Sequence, residues 1–423
     1  MLNIKRKLIP TVLAYAASIG LGVTSNIVLA DNDFYTALTD GKVSFSSRAR
    51  YESVSDDNPS RKDAEAYTIR TSLDYETGAF EGFKGFLELE NVIALGNEKY
   101  DFNSGPQGKN QYSVIADPEG TEVNQAYLQY NGFDTQFRLG RQELMYRETP
   151  WHRFIGNLFW RQHHQSFDAF TLKNTSLADT QISYAYINKV NSVLGDDADN
   201  AVLGVEDGSE DMNSHLFNIQ YTAVPLGKLE SYGYFLEYDS GLYKTKSNKT
   251  LGVRFSGSQP VNDDLNVVYA MEYANQDQYK SGTMDDQNYY MAELGDEYKG
   301  WLTKVSYELQ EGDGTSSFKT LLGANHAYQG WADIFLSTPA VGLRDTYFTL
   351  SGKVVGLKVI AVYHDFETDK SSLDAGDEID VLLQKTFNKH YLVGVKYADY
   401  HSGDKKLATV DTEKLWVYGQ VQY

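Results

Sequence analysis

The chain contains no cysteine. Disulfide staples and thiolate metal sites are therefore excluded, and stability has to come from backbone hydrogen bonds and packing. Proline is scarce, 8 in 423 residues, which leaves long uninterrupted ladders open because proline cannot donate into one. Bases are outnumbered, with 38 Lys and Arg against 58 Asp and Glu for a formal net charge of −20. That balance excludes nucleic acid as a partner, since phosphate binding needs the opposite sign. Beyond residue 30 there is no run of 18 uncharged apolar residues, so no transmembrane helix is available.

What is present points to a different way of meeting a membrane. Residues 1–30, MLNIKRKLIPTVLAYAASIGLGVTSNIVLA, start with Lys5, Arg6 and Lys7, continue apolar and close on Val28 and Ala30. This is the layout of a secretory signal peptide cleaved after Ala30, leaving residues 31–423 as one mature domain. Tyr (32) and Gly (35) are plentiful, and the aromatics recur at strand spacing, as they do where rings sit at both interfaces of a membrane barrel.

The dominant period is two. In KVSFSSRARYE, Val43, Phe45, Ala49 and Tyr51 alternate with Ser44, Ser46, Arg48 and Arg50, the signature of a strand with one apolar and one polar face. Tyr67, Ile69, Leu73 and Tyr75 repeat it, then Leu87 and Leu89, then Ala126, Leu128 and Tyr130, with a hairpin turn expected at Asn131-Gly132 before Phe137 and Leu139. Further strands centre near Phe170, Tyr184, Ile219, Tyr234, Val253, Tyr269, Tyr290, Val305, Phe348, Val359, Val381, Val395 and Val417. The fold class expected is all-β: a transmembrane antiparallel up-and-down barrel of 18 strands. Counts of 16 or 20 also fit, because the strands near Phe170, Tyr290 and Phe348 are weakly patterned.

Connections alternate in length. Long ones run near Ser53 to Ala64, Gly96 to Gly120, Tyr146 to Ser166, Asn188 to Asn213 and Gln310 to Arg344. Short ones lie around Gly78 to Gly82, Asn131 to Phe133, Pro225 to Gly227, Gly295 to Gly300 and Asn388 to His390. Long outer loops opposite short periplasmic turns are the habit of an outer-membrane barrel with both termini in the periplasm. The final strand, LWVYGQVQY, ends on the aromatic Tyr423 and resembles the terminal signal read by the outer-membrane barrel assembly machinery. Outer-membrane lipid and that machinery are the partners expected, and the oligomeric state is left open.

One segment breaks the pattern. Between the strands holding Phe137 and Leu172 lie about 20 residues with Arg141, Arg147, Arg153 and Arg161, the aromatics from Trp151 to Trp160, and His152, His163 and His164. Such a long loop is too aromatic to be disordered, and the reading is that it folds into the barrel mouth and lines the pore. The stretch RLGRQ from Arg138 to Gln142, RFIGN from Arg153 to Asn157 and WRQHHQSFDAF from Trp160 to Phe170 resembles the alginate export porin family. HAYQGWADIF from His326 to Phe335 and GDEIDVLL from Gly376 to Leu383 resemble it too. The resemblance implies an 18-stranded outer-membrane barrel whose arginine-rich lumen passes an anionic polysaccharide.

The candidate pore-lining and solute-binding residues are Arg48, Arg50, Arg70, Arg138, Arg141, Arg153, Arg161, Asp168, His326, Trp331 and Asp333. Guanidinium groups match carboxylates bidentately, and rings of charge select ions in a pore. Yet the inward faces also carry Glu52, Asp74, Glu76, Glu88, Glu90, Glu272, Glu308 and Asp380, so the arginines can equally brace the wall by ion pairing. No catalytic or metal site is expected: His163 and His164 are adjacent and would diverge, and no HExxH spacing occurs. Ser166, His164 and Asp168 are too close in sequence for a triad. The acidic loop from Asn188 to Asn213 lacks the EF-hand pattern. No cofactor is expected. The function read from these features is a channel for diffusion of polar solutes, chiefly anionic oligo- or polysaccharides. The alternatives are a dedicated alginate-like exopolysaccharide secretion channel and a structural or adhesive barrel with a plugged lumen.

Overall fold

The computed structural model describes residues 32–102, 109–148, 152–195, 208–239 and 242–423. Residues 1–30, expected to be a signal peptide, Trp151, and the acidic residues Asp196, Asp197, Asp199, Glu206 and Asp207 lie outside the described residues. A short helix, α1 (Asn32–Thr39), precedes the sheet. The first nine strands are Lys42–Asp56 (β1), Ala64–Glu76 (β2), Phe83–Ala94 (β3), Gly120–Gly132 (β4), Thr135–Gln142 (β5), Ser166–Asn174 (β6), Thr180–Asn191 (β7), Ser209–Tyr221 (β8) and Lys228–Leu236 (β9). The second nine are Asn248–Asn262 (β10), Leu265–Gln278 (β11), Gln287–Tyr298 (β12), Trp301–Gln310 (β13), Leu343–Val354 (β14), Leu357–Glu367 (β15), Asp374–Phe387 (β16), Tyr391–His401 (β17) and Thr412–Gln422 (β18).

Every strand pairs antiparallel with its sequence neighbour, and β1 also pairs with β18 from Ser46↔Gln422 to Asp56↔Thr412. The sheet is therefore a closed 18-stranded barrel without a free edge, the arrangement that satisfies backbone groups where no water is at hand. Each strand centre inferred from the period of two falls inside one of these strands. The outward row is apolar and bare, with Leu139 63% and Leu294 64% exposed, while the inward row is buried toward the long-loop end. Long connections, such as 143–165 and 311–342, emerge at one end; two-residue turns such as 133–134, 299–300 and 355–356 sit at the other, together with both ends of the barrel chain.

The hairpin between β4 and β5 corrects one expectation. Asn131 and Gly132 are the last residues of β4, facing Gln136 and Thr135, and the turn is Phe133-Asp134 with φ of 57° and 52°. Two positive φ values are what a tight hairpin turn demands, and Asp134 supplies one without a glycine. Gly132 serves instead as the floor under a ring: a Cβ there would lie 2.5 Å from the Tyr130 hydroxyl. At the same end α1 caps the turn after β2. Its Ala37 carbonyl accepts from the Gly78 N–H at 2.7 Å, and Phe34 meets Phe80 edge-on at 5.3 Å.

The hydrophobic core sits inside the barrel, at the long-loop end. Loop 143–165 contributes Leu144, Phe154 and Ile155, loop 311–342 contributes Phe318 and Leu322, and the wall contributes Tyr232, Tyr234 and Tyr289. A second cluster packs Trp331, Ala332 and Phe335 of loop 311–342 against Phe366, Tyr400 and Trp416. Two loops thus turn inward and are sealed to the wall by apolar contact.

Candidate functional site: the charged lumen

The inward loops carry charge into this core, and Arg147, Arg153 and Arg161 of loop 143–165 each meet a carboxylate from the wall. Arg161 donates to Glu52 of β1 at 3.2 Å and to Asp333 of loop 311–342 at 2.9 Å. Arg153 is fully buried and donates to Glu308 of β13 at 2.7 Å and to Asn325 at 2.6 Å. Arg147 spans Glu230 of β9 and Glu272 of β11, at 3.2 and 2.7 Å. From the wall itself, Arg70 reaches Glu88 at 2.9 Å and Glu90 at 2.8 Å. Arg50 pairs with Glu52 at 3.1 Å and with Asp117. Arg48 is held by acceptors that carry no charge: the Gln162 amide oxygen at 2.9 Å and the carbonyls of Phe159 and Arg161. Removing one member of such a buried pair strands its partner's charge, at a cost of about 3–5 kcal/mol.

Loop 311–342 is docked by its backbone as well. The Trp331 N–H donates to Asp380 at 3.2 Å and the Ala332 N–H to Glu378 at 2.7 Å. Gly330, at φ 82°, makes this approach feasible, since a Cβ there would fall 2.3 Å from the Glu378 carboxylate. The Lys396 ammonium lies 4.0 Å above the Trp331 ring, a cation–π contact. His326 stacks on Trp160 at 4.7 Å and faces Asp333 at 2.6 Å. Burial pushes the His326 imidazole down to about 3, against the pull of Asp333 and with help from Lys396. His152, buried in loop 143–165, is pushed down to about 4 by the same loss of water, opposed only by Glu143.

Other candidates stand apart from this network. Arg138 points into the lumen from β5, donates to the Gln129 amide oxygen at 2.8 Å and lies 4.7 Å over the Tyr127 ring. No carboxylate pairs with it among the described residues. Arg141 and Asp168 do not face the lumen. They pair with each other at 2.7 Å, opposite one another in the β5–β6 register, on the outward row that also holds Leu139 and Phe170. The expectation that they line the pore is corrected by strand extent: β5 runs to Gln142 and β6 starts at Ser166, so alternation carries into a stretch read as loop.

Several partners escaped the sequence reading. Asp117 and Gln162 lie in loops where no alternation assigns a face, and Glu143 accepts from His164 at 2.8 Å and from Asn157 at 2.7 Å just past the end of β5. Glu230 could have been found, because it alternates with Leu229 and Ser231 in β9. At the short-turn end, alternation brings Lys173, Lys228, Lys353 and Lys358 to the inner wall, and none has an ion-pair partner among the described residues. Lys353 and Lys358 are directly opposite each other across β14 and β15. Clusters that could hold a metal ion are Glu88, Glu90 and His164, and Glu90, Glu122 and His163.

The family profile for alginate export matches residues 41–324. No curated protein matches the chain. Among solved structures, Acinetobacter baumannii OccAB2 is similar with a TM-score of 0.70 and 15% identity, covering 92% of this chain and 99% of that one. Pseudomonas aeruginosa OccD3 (OpdP) gives 0.67 and 11%, covering 92% of each chain. Pseudomonas aeruginosa OpdK, in a structure with vanillate, gives 0.68 and 13%, covering 91% and 99%. At these identities the likeness is one of fold. Together with the closed barrel and the family match over two thirds of its length, it establishes that the chain belongs to the alginate export family and is an outer-membrane β-barrel of porin type.

Proposed function

We propose that the protein is a passive channel, not an enzyme, that lets small polar anions and short anionic oligosaccharides cross the outer membrane. The carrying observation is that the inward cations Arg138, Lys173, Lys228, Lys353 and Lys358 lack a carboxylate partner among the described residues, in a lumen where Arg50, Arg70, Arg147, Arg153 and Arg161 are paired with carboxylates. An unpaired positive lining attracts anions and raises their local concentration. The vanillate in the OpdK structure is a small carboxylate and supports a solute of that charge. The chain reaches its place through the leader 1–30, is assembled by the outer-membrane barrel machinery, and is solvated by outer-membrane lipid along its apolar outer row.

The inward loops bear on solute size. The gap among Tyr146, Arg153, Phe154, Ile155 and Tyr234 amounts to about 10 Å³, room for a water molecule at most. A full polymer would have to displace two sealed loops, which favours short solutes over alginate-like exopolysaccharide. The same filling favours a second reading, a structural barrel with a plugged lumen. Liposome swelling with neutral and uronate oligosaccharides separates the readings: faster entry of uronates is expected. No entry of any solute through well-folded protein would leave only the plugged barrel.

A further inference from the structure

Glu90 of β3 and Glu122 of β4 are directly opposite in the strand register, both on the inward face near the long-loop end. Like charges placed so repel, and a cation is the usual remedy. Arg70 supplies one to Glu90, bonding its Oε2 oxygen at 2.8 Å. On the other side His163 enters from loop 143–165. It is completely buried, and its Nδ1 sits 2.9 Å from Glu90 Oε1. With Nδ1–H donated to that carboxylate, the neutral ring presents a bare lone pair at Nε2, and Nε2 has no hydrogen-bond partner.

That nitrogen points at a space kept open by glycine. A Cβ on Gly120 would stand 3.3 Å from His163 Nε2 and 3.8 Å from Glu122 Oε1. Gly195 closes the far side, where a Cβ would come within 2.5 Å of the same Glu122 oxygen. One ligand atom from each of Glu90, Glu122 and His163 lies within 4.8 Å of the other two. A carboxylate behind the imidazole, fixing its tautomer and raising its basicity, is how metal-binding histidines are held. The neighbouring group of Glu88, Glu90 and His164 is different, because the Arg70 guanidinium already bonds Glu88 and Glu90 and lies 3.5 Å from His164 Nδ1.

We propose that His163 Nε2 and the Glu122 carboxylate bind a divalent transition-metal ion at the loop end of the lumen, with Glu90 orienting the imidazole. One nitrogen and carboxylate oxygens suit Zn²⁺ and its neighbours better than Mg²⁺, which prefers oxygen alone. The ion ties loop 143–165 to β4, and its remaining positions take water or a carboxylate of a passing solute.

The test is calorimetric titration of Zn²⁺, with Mg²⁺ as comparator, into metal-depleted, folded barrel carrying no polyhistidine tag. The wild type is expected to bind one Zn²⁺ that Glu122→Gln and His163→Gln each weaken at least about tenfold, in the range of lost metal-site groups. Gly120→Ala, which places a methyl in the open space and leaves every ligand intact, should weaken it too. Absence of Zn²⁺ binding by the wild type would overturn the proposal. So would equal binding by Glu122→Gln, since the ion would then sit on surface histidines. If His163→Gln fails to assemble, Glu122→Gln and Gly120→Ala still decide.

Discussion

His326 donates through Nδ1 to Asp333, 2.6 Å away on the same loop, while its Nε2 accepts from Lys396 of β17. The imidazole is thus neutral with a fixed tautomer, and protonation would set its second N–H against an ammonium. An unfolded histidine titrates near 6.5, whereas His326 is pushed down to about 3 and His152 to about 4, by burial first in both. Between those values the unfolded or released loops bind protons that the docked loops do not. Their contribution to stability is complete above pH about 6.5 and is lost as pH falls towards 4 and then 3. Asp333, held well below the usual carboxylate range by His326 and Lys414 against the effect of burial, adds to the loss only below about 3.8. Single-channel conductance in planar bilayers should therefore rise and become noisier from pH 7 to pH 4. A flat profile would contradict the docking of both loops by neutral histidines.

Asp333 also accepts from Arg161 at 2.9 Å and Lys414 at 3.0 Å, so one carboxylate joins loop 311–342, loop 143–165 and β18. Asp333→Asn keeps the shape and removes the charge, leaving two buried cations under-compensated at a cost of about 3–5 kcal/mol. The barrel strands should persist while the loops become cleavable by added protease. Protease resistance equal to wild type would show that the node carries no such energy.

Arg138 and Arg161 should respond differently to reversal of charge. Arg138→Glu places an anion in a lumen position that lacks a carboxylate partner and should shift the reversal potential away from anions, with assembly intact. The shift should shrink in 1 M salt, where the Debye length is about 3 Å. Arg161→Glu instead sets a third acid beside Glu52 and Asp333 and should impair loop docking. If the two variants give the same selectivity and the same stability, the division of the arginines into lining and bracing groups fails.

Lys353 and Lys358 are cross-strand neighbours of like charge. Lys358→Glu turns the pair attractive and should stabilise the barrel by roughly 0.2–1 kcal/mol, while it lowers anion preference. Thermal unfolding in detergent and bilayer selectivity, measured on the same preparation, should therefore move in opposite senses. A variant that is both less stable and unchanged in selectivity would refute the placement of these lysines on the inner wall.

The strands were legible because alternation needs only a neighbour two residues away, and a barrel imposes it along its whole wall. Arg48, Arg50, Arg70 and Arg138 could be placed inward for that reason. Arg141 and Asp168 could not, since their face depends on where β5 ends and β6 begins, which pairing decides rather than composition. The partners of Arg153 and Arg161 were beyond reach for another reason. Glu308 and Asp333 are brought to them by two loops folding together inside the barrel, and no local period encodes a contact between distant loops. His163 and His164 show both sides: their divergence follows from adjacency, but the carboxylates their rings meet come from distant places, Glu90 from β3 and Glu143 from the start of loop 143–165.

The seam between β1 and β18 has a kinetic meaning. Each of the other strand pairs joins segments that follow one another along the chain, so hairpins can form as soon as their residues are adjacent. The seam joins opposite ends of the sequence and must overcome the closure entropy of the whole chain. Until it forms, two strands present bare donors and acceptors, the form most prone to pair with another copy. Substitutions along Ser46–Asp56 and Thr412–Gln422 should therefore act on the rate at which barrels complete and on the yield lost to aggregates, more than on the permeability of those that close.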